Sequence, residues 1–207
     1  MASLTTKGDP EGNPHRVIIG VDPGTIVMGY GILEVGKGPS RKEKGLLAMG
    51  VLKLDKFASH FDRLLKIYEG VAALIRRYKP SALAIEAPFY GKNVQSMLKL
   101  GRGQGAAIIA AKNAGISVAE YSPSTIKKVI TGRGNASKEQ VKLFLQKELL
   151  IPDAAFMDAL DATDAVAAAL CHHLSPDVSL LSHGKKGTKS AVSWADYAKQ
   201  NPDKIKR

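Results

Sequence analysis

Two short apolar runs, each ending in a carboxylate, constrain this chain more than any other feature of it. Val17-Ile18-Ile19-Gly20-Val21 runs into Asp22, and Leu83-Ala84-Ile85 runs into Glu86. Runs this short and this uniformly apolar suit strands covered on both faces, the condition of a parallel pair inside an α/β domain. An acid closing such a strand is costly to bury without a partner. Open α/β sheets place their chemistry at the carboxyl ends of their strands, so both acids mark a site. Downstream, Asp161 and Asp164 fall three apart near the start of an Ala-rich helical pattern. Side chains at i and i+3 share one helix face, and the helix dipole favours anions in the first turns.

Punctuation and periodicity order the rest of the chain. Residues 1–15 are polar, with Gly and Pro, and read as a disordered leader. Strands are expected at 16–21, 29–35 and 46–54. The turn Asp22-Pro23-Gly24-Thr25 and a charged loop at 36–45 separate them. Links this short favour an antiparallel meander. A helix over 57–78 places Phe61, Leu64, Leu65, Tyr68, Val71, Ala72 and Ile75 at helical spacing before Pro80 stops it. The strand at 82–85 then lies parallel to the first. A second helix over 94–114 carries Gly101, Gly103 and Gly105, each costing roughly 1 kcal/mol against Ala. Such a cluster either bends the helix or admits another backbone. A fifth strand covers 117–121, and a short helix covers 123–130. Ser137 and Gln140 form a capping box for a helix to 150, and Asp158 caps a last helix over 159–174. Residues 175–207 lose periodicity and form a basic tail. The expected fold class is α/β. Its mixed five-stranded sheet, three antiparallel strands followed by two parallel ones, is flanked by helices in one domain over 16–174.

Charge points to the partner. The 207 residues hold 30 Lys and Arg against 19 Asp and Glu, a net charge of +11 that favours a polyanion, nucleic acid before anionic membrane. From Ala87 to Lys138 there are eight basic residues (Lys92, Lys99, Arg102, Lys112, Lys127, Lys128, Arg133 and Lys138) and one acid, Glu120. These cations flank the acids, so they read as a nucleic-acid face. No apolar run is long enough for a membrane span, and the first residues lack a signal-peptide core. The one cysteine, Cys171, excludes an internal disulfide and suits a reducing compartment. Buried among alanines, it reads as a small core residue. The chain is therefore expected in the cytoplasm, associated with the nucleoid.

Four carboxylates crowded together repel one another and make sense with cations present. Hard oxygen ligands suit Mg²⁺, which takes a few carboxylates plus substrate phosphate. Two such ions can activate a water and stabilise a leaving oxygen.

The motifs resemble the RuvC family of Holliday-junction resolvases, within the ribonuclease H-like nucleases. Four stretches carry the resemblance, over about residues 16–174. They are Ile18-Ile19-Gly20-Val21-Asp22-Pro23-Gly24 with Gly29-Tyr30-Gly31; Ala84-Ile85-Glu86-Ala87-Pro88-Phe89 with Lys92-Asn93; Leu98-Lys99-Leu100-Gly101; and Asp161-Ala162-Thr163-Asp164-Ala165. The resemblance implies a ribonuclease H-like fold and a homodimer that recognises four-way DNA junctions in recombination and repair. It implies symmetrical, Mg²⁺-dependent nicking of two strands, with two ions per active site and Mn²⁺ as a substitute, and cooperation with a branch-migration motor. Asp22, Glu86, Asp161 and Asp164 match the family's catalytic, metal-binding acids. Asp158 and Asp161 offer a second register, but the following Ala165-Val166-Ala167 favours the 161/164 pair. Some family members carry His where Asp161 stands, which makes it the least rigidly specified ligand. Lys127 and Lys138 match the basic residues near the scissile phosphate, and Phe89 matches an aromatic at the junction centre, with Tyr90 beside it. The remaining expected DNA contacts are Lys92, Lys99, Arg102, Lys128 and Arg133. The glycine-bearing helix resembles the family's dimer contact region. His172 and His173, near a helix end, read as structural rather than as ligands.

Three other readings share these features. Asp22-Pro23-Gly24-Thr25 also resembles the first phosphate loop of actin/sugar-kinase-type ATPases, but those duplicate the domain and this chain has no second such loop. A non-catalytic nucleic-acid-binding protein of the same fold is disfavoured by four intact acids. A related nuclease acting on RNA or other branched DNA would use the same site chemistry.

Overall fold

The computed structural model describes residues 15–36, 44–88, 93–152 and 160–175. These form five strands and five helices: β1 (His15–Asp22), β2 (Val27–Gly36), β3 (Lys44–Lys53), α1 (His60–Tyr78), β4 (Ala82–Glu86), α2 (Val94–Asn113), β5 (Ser117–Tyr121), α3 (Pro123–Thr131), α4 (Lys138–Leu149) and α5 (Leu160–Leu174). The sheet order is β3-β2-β1-β4-β5. The first three strands pair antiparallel, while β1–β4 and β4–β5 pair parallel. The expected mixed sheet is therefore the observed one, and the helices flank it on both sides.

Local signals act where the residues place them. Ser59 caps α1 by accepting from Phe61 N, so the helix starts at His60 rather than near residue 57. Pro123 opens α3 at a position whose N–H needs no partner, and Ser122 caps it. The Ser137/Gln140 capping box is formed in both directions. The expected cap Asp158, the leader up to Pro14, the loop 37–43 and the tail from 176 lie outside the described residues.

Alternation along the strands sorts the core into two clusters, one on each face of the sheet. On one face, Ile19, Val21, Met28, Ile32, Leu83 and Ile85 pack against α1 and α2. On the other, Ile18, Leu33, Val35, Ala84 and Tyr121 pack against α3, α4 and α5. One sequence expectation is corrected here. Phe61 and Leu65 belong to the helical-period set of α1, yet they are 74% and 52% exposed. The apolar stripe is wider than the groove that receives it, and Ile67, Val71 and Ile75 fill that groove.

Candidate active site

The site lies on the α5 face, at the carboxyl ends of β1 and β4. Gly20 pairs with Gly31, and Asp22 with Gly29, across the β1–β2 ladder. Paired residues and residues two apart share a face, so these three glycines line the same side from which Asp22 projects. On β4, Ala84 pairs with Gly20 and Val21 with Ile85. Glu86, two residues past Ala84, therefore points to that side as well. It stands one step beyond the last paired residue, beside Asp22.

The glycines bring the helical acids to the strand acids. A Cβ on Gly20 would collide with the Ala165 carbonyl of α5, and one on Gly29 with the Asp161 carbonyl. A Cβ on Gly31 would stand 2.8 Å from Val166 Cα. The α5 backbone thus lies directly on the backbones of β1 and β2. Ala162, Ala165 and Ala169, all buried, present only methyl groups to the sheet. The sequence motif Gly29-Tyr30-Gly31 has its physical meaning here: alternate glycines form a groove for a helix. Their spacing of two inside a strand was the signal available from sequence.

Three acids dominate the field of the site. Burial first, then the charges of Asp164 and Asp161, push Asp22 from the usual 3.8 up to about 7. Burial, then Asp22 and Asp164, push Glu86 from 4.5 up to about 8. The charge of Asp164 thus acts on both strand acids, and that of Asp22 acts on Glu86. Asp161 acts on Asp22 alone of the two strand acids, and it is exposed on the first turn of α5. It forms the rim of the site. Among the described residues, no three His, Cys, Asp or Glu side chains converge tightly enough to enclose a metal ion as they stand.

Cations answer the acids from the next elements along the chain. Lys138, the first residue of α4, donates from Nζ to Asp164 Oδ2 at 2.8 Å. That hydrogen bond, with the charge of Asp164, raises the Lys138 pKa. Lys127 on α3 is half-buried, and its charge favours ionised Glu86. Lys128 and Arg133 are exposed on the same α3–α4 segment. There the Thr131 hydroxyl donates to the Lys127 carbonyl at 2.8 Å and accepts from Arg133 N–H at 3.2 Å. Lys99 and Arg102 are exposed on α2, close enough to His60 at the start of α1 to help lower its pKa, after burial. Phe89, Tyr90 and Lys92 lie outside the described residues.

Two residues that buttress the site were not singled out from sequence. Arg63 of α1 donates from Nε to the Phe57 carbonyl at 2.7 Å and from a terminal nitrogen to the Thr25 carbonyl at 3.4 Å. It ties the turn after Asp22 to the segment between β3 and α1. Gln104 of α2, 8% exposed, donates to the Glu86 carbonyl at 3.5 Å. A polar residue inside an apolar helix face was the available signal for Gln104; nothing in the sequence marked Arg63. At the far end of α5, the Tyr121 hydroxyl and His172 Nδ1 share a hydrogen bond of 2.7 Å. Burial drives His172 down to about 4, so the ring is neutral at physiological pH. His172 is held at that end of α5 by its contacts with Tyr121, and Cys171 is buried with a free thiol.

The model of the family described as crossover junction endodeoxyribonuclease RuvC matches residues 18–172. The chain belongs to the RuvC family. A RuvC from Porphyromonas gingivalis is 49% identical over 192 residues, covering 93% of this chain and 98% of that one. A RuvC from Bacteroides fragilis is 46% identical over 193 residues, covering 93% and 97%. Among solved structures, Thermus thermophilus RuvC in complex with a Holliday junction substrate superposes with a TM-score of 0.70 at 31% identity. That match covers 77% of this chain and 93% of the other. The RuvC match identifies the mixed sheet and its flanking helices as a ribonuclease H-like fold. It disposes of the ATPase reading, which needs a duplicated domain.

Proposed function

We propose that this RuvC-family chain is an endodeoxyribonuclease that resolves four-way DNA junctions in recombination and repair, nicking two strands symmetrically in a metal-dependent reaction. The observation that carries the reading is the convergence of Asp22 and Glu86, at adjacent strand ends, with Asp164 of the helix packed on that face, and with Lys138 and Lys127 at their edge. Two of these half-buried carboxylates are pushed up into the neutral range despite the nearby lysines, so the acids call for more positive charge than the lysines supply. Their all-oxygen chemistry fits hard divalent ions. Asp22, Glu86, Asp161 and Asp164 would hold Mg²⁺, two ions per site, with Mn²⁺ as a substitute. When bound, these ions supply an activated water and charge stabilisation of the leaving oxygen.

The chain's own residues do the rest. Lys138 and Lys127 neutralise the scissile phosphate and stabilise its charge in the transition state. Arg63 and Gln104 hold the backbone beside Asp22 and Glu86. Lys99 and Arg102 on the α2 side, with Lys128 and Arg133 on the α3–α4 side, bind flanking phosphates. Phe89 stacks at the junction centre with Tyr90, and Lys92 adds a phosphate contact. The protein acts as a homodimer through α2. In support, Val94, Leu98, Gly101, Gly105 and Ile109 recur at helical spacing on its outer face. Both glycines have open space above them, and the three aliphatics are 53–66% exposed. A two-fold dimer matches a substrate with approximate two-fold symmetry. A branch-migration motor is the expected partner. Among the described residues, no helix is long and apolar enough to cross a membrane. The cytoplasm, at the nucleoid, is the proposed place of action. The proposed nuclease domain spans 16–174, between a leader and a basic tail.

The test is a synthetic four-way junction incubated with the protein and Mg²⁺. Paired nicks near the crossover are expected. Asp22→Asn and Glu86→Gln should each lower cleavage by about 10²–10³-fold or more while junction binding persists. Equal cutting of linear duplex or of an RNA–DNA hybrid would overturn the junction assignment.

A further inference from the structure

We propose that Lys138 is a resident counter-cation of the acidic site, seated on Asp164 until a divalent cation displaces it, and that this exchange frees its ammonium for the scissile phosphate. The inference rests on the reading of the acids as divalent-ion ligands. Its geometry is that of a hinge with one moving part. The Lys138 backbone is fixed at the start of α4. There Ser137 Oγ accepts from Gln140 N at 3.2 Å, and Gln140 Oε1 accepts from Ser137 N at 2.9 Å. The side chain above it is 75% exposed and reaches Asp164, itself 23% exposed, through its Nζ alone. The four-carbon stem can swing while its anchor stays in place.

The exchange follows from the shared oxygen. Asp164 Oδ2 accepts from the Lys138 ammonium at 2.8 Å, and the charge of Asp164 acts on both Asp22 and Glu86. An ion held by Asp164 would stand within a few ångströms of that ammonium, and two positive charges so close repel. A divalent ion on Asp164 Oδ2 would take the oxygen that the ammonium uses and repel it as well, so the two compete for the carboxylate. The ammonium released from Asp164 has a free stem and a phosphate to meet. The lysine therefore engages substrate charge after the site is loaded, and it shields the acids from one another before loading. Lys127 also acts on Glu86, but from α3 and without this ion pair, so it serves as the through-space control.

Two measurements without DNA test the exchange. In the first, calorimetry follows Mg²⁺ binding at low salt to the wild type, Lys138→Met and Lys127→Met. Loss of a competing ion pair should tighten binding to Lys138→Met by about three- to fivefold, and to Lys127→Met by about twofold or less. Lys138→Gln serves if the Met variant folds poorly. In the second, a soluble amine-acylating reagent labels the wild type with and without Mg²⁺, and mass spectrometry reads each lysine. Labelling of Lys138 should rise as Mg²⁺ saturates. Lys66, paired with Glu69 at 2.6 Å on α1, should stay constant. Unchanged Lys138 labelling, or Mg²⁺ binding to Lys138→Met no tighter than to Lys127→Met, overturns the exchange and leaves the junction assignment standing. A wild type that binds no Mg²⁺ overturns both.

Discussion

The two faces of the sheet are built on opposite plans. On the α1/α2 face, large aliphatics meet: Ile19, Val21, Met28, Ile32, Leu83 and Ile85 pack against Ile67, Val71 and Ile75. On the α5 face, small residues meet: Gly20, Gly29 and Gly31 lie under Ala162, Ala165 and Ala169. The first plan gains depth of burial, worth about 1.5–3 kcal/mol for each large side chain. The second sacrifices side-chain area for closeness. A helix lying directly on strand backbone cannot shift by half an ångström without a clash, because close-packed interiors transmit strain. That is the face on which the acids stand. The chain puts its hydrophobic weight on one side and its aim on the other.

A methyl group on the glycine groove is the strongest way to break this contrast. Gly31→Val would drive branches into Val166, whose Cα already stands 2.8 Å from the position of a Cβ. We expect a loss of about 2–4 kcal/mol in denaturant unfolding. Surviving folded protein should also lose cleavage, since α5 carries Asp161 and Asp164. On the other face, Val71→Ala should cost stability alone and leave the activity of the folded fraction near wild type. Equal damage to activity from both variants would refute the division.

The acids themselves supply the second test. Asp22 rises to about 7 and Glu86 to about 8 in the folded protein, from ordinary values of 3.8 and 4.5. Between these values the folded protein keeps protons that the unfolded chain has already released. Raised carboxyl pKa values therefore make stability fall as pH climbs from about 4 to about 8. With chelator present, urea unfolding should show a decline on the order of 2–4 kcal/mol across that window. Saturating Mg²⁺ should flatten it. A chelated protein whose stability is level or rises over this range would mean the acids are compensated from elsewhere.

The smallest effect sharpens the comparison on the outer surface of α2. Gly101 and Gly105 have nothing within 4 Å of an added Cβ, unlike the groove glycines. Gly105→Ala should stabilise the isolated fold by roughly 0.5–1 kcal/mol through helix propensity. If α2 is the dimer seam, the same change should weaken self-association in sedimentation. Stabilisation with undiminished dimer would place the seam elsewhere.

Much of this was legible in the residues because it is local. Strand runs ending at Asp22 and Glu86, the Ser137 cap with Gln140, and the Pro80 stop all act within a few residues of themselves. The sheet order followed from link lengths, since short links leave antiparallel neighbours and the α1 crossover leaves a parallel one. Less legible were features that depend on which neighbour covers a face. Phe61 and Leu65 fit the helical period of α1, but periodicity does not tell how wide a groove will be. Gln104 and Arg63 reach backbone carbonyls of Glu86 and Thr25, and no side-chain pattern encodes a carbonyl as a partner.

The sequence by itself determined the inventory: four acids in three places, two lysines downstream, and elements in an order that suits a mixed sheet. Periodicity, capping and charge are properties of residue type, so they can be read without coordinates. Only the tertiary structure decided how that inventory converges. It put Gly20, Gly29 and Gly31 on one face and laid α5 into them, and so coupled Asp164 rather than Asp161 to both strand acids. It also set Lys138 on Asp164, twenty-six residues away in sequence. The physical reason is distance: electrostatic coupling and steric fit act through space over a few ångströms, and that separation exists only once the chain has folded.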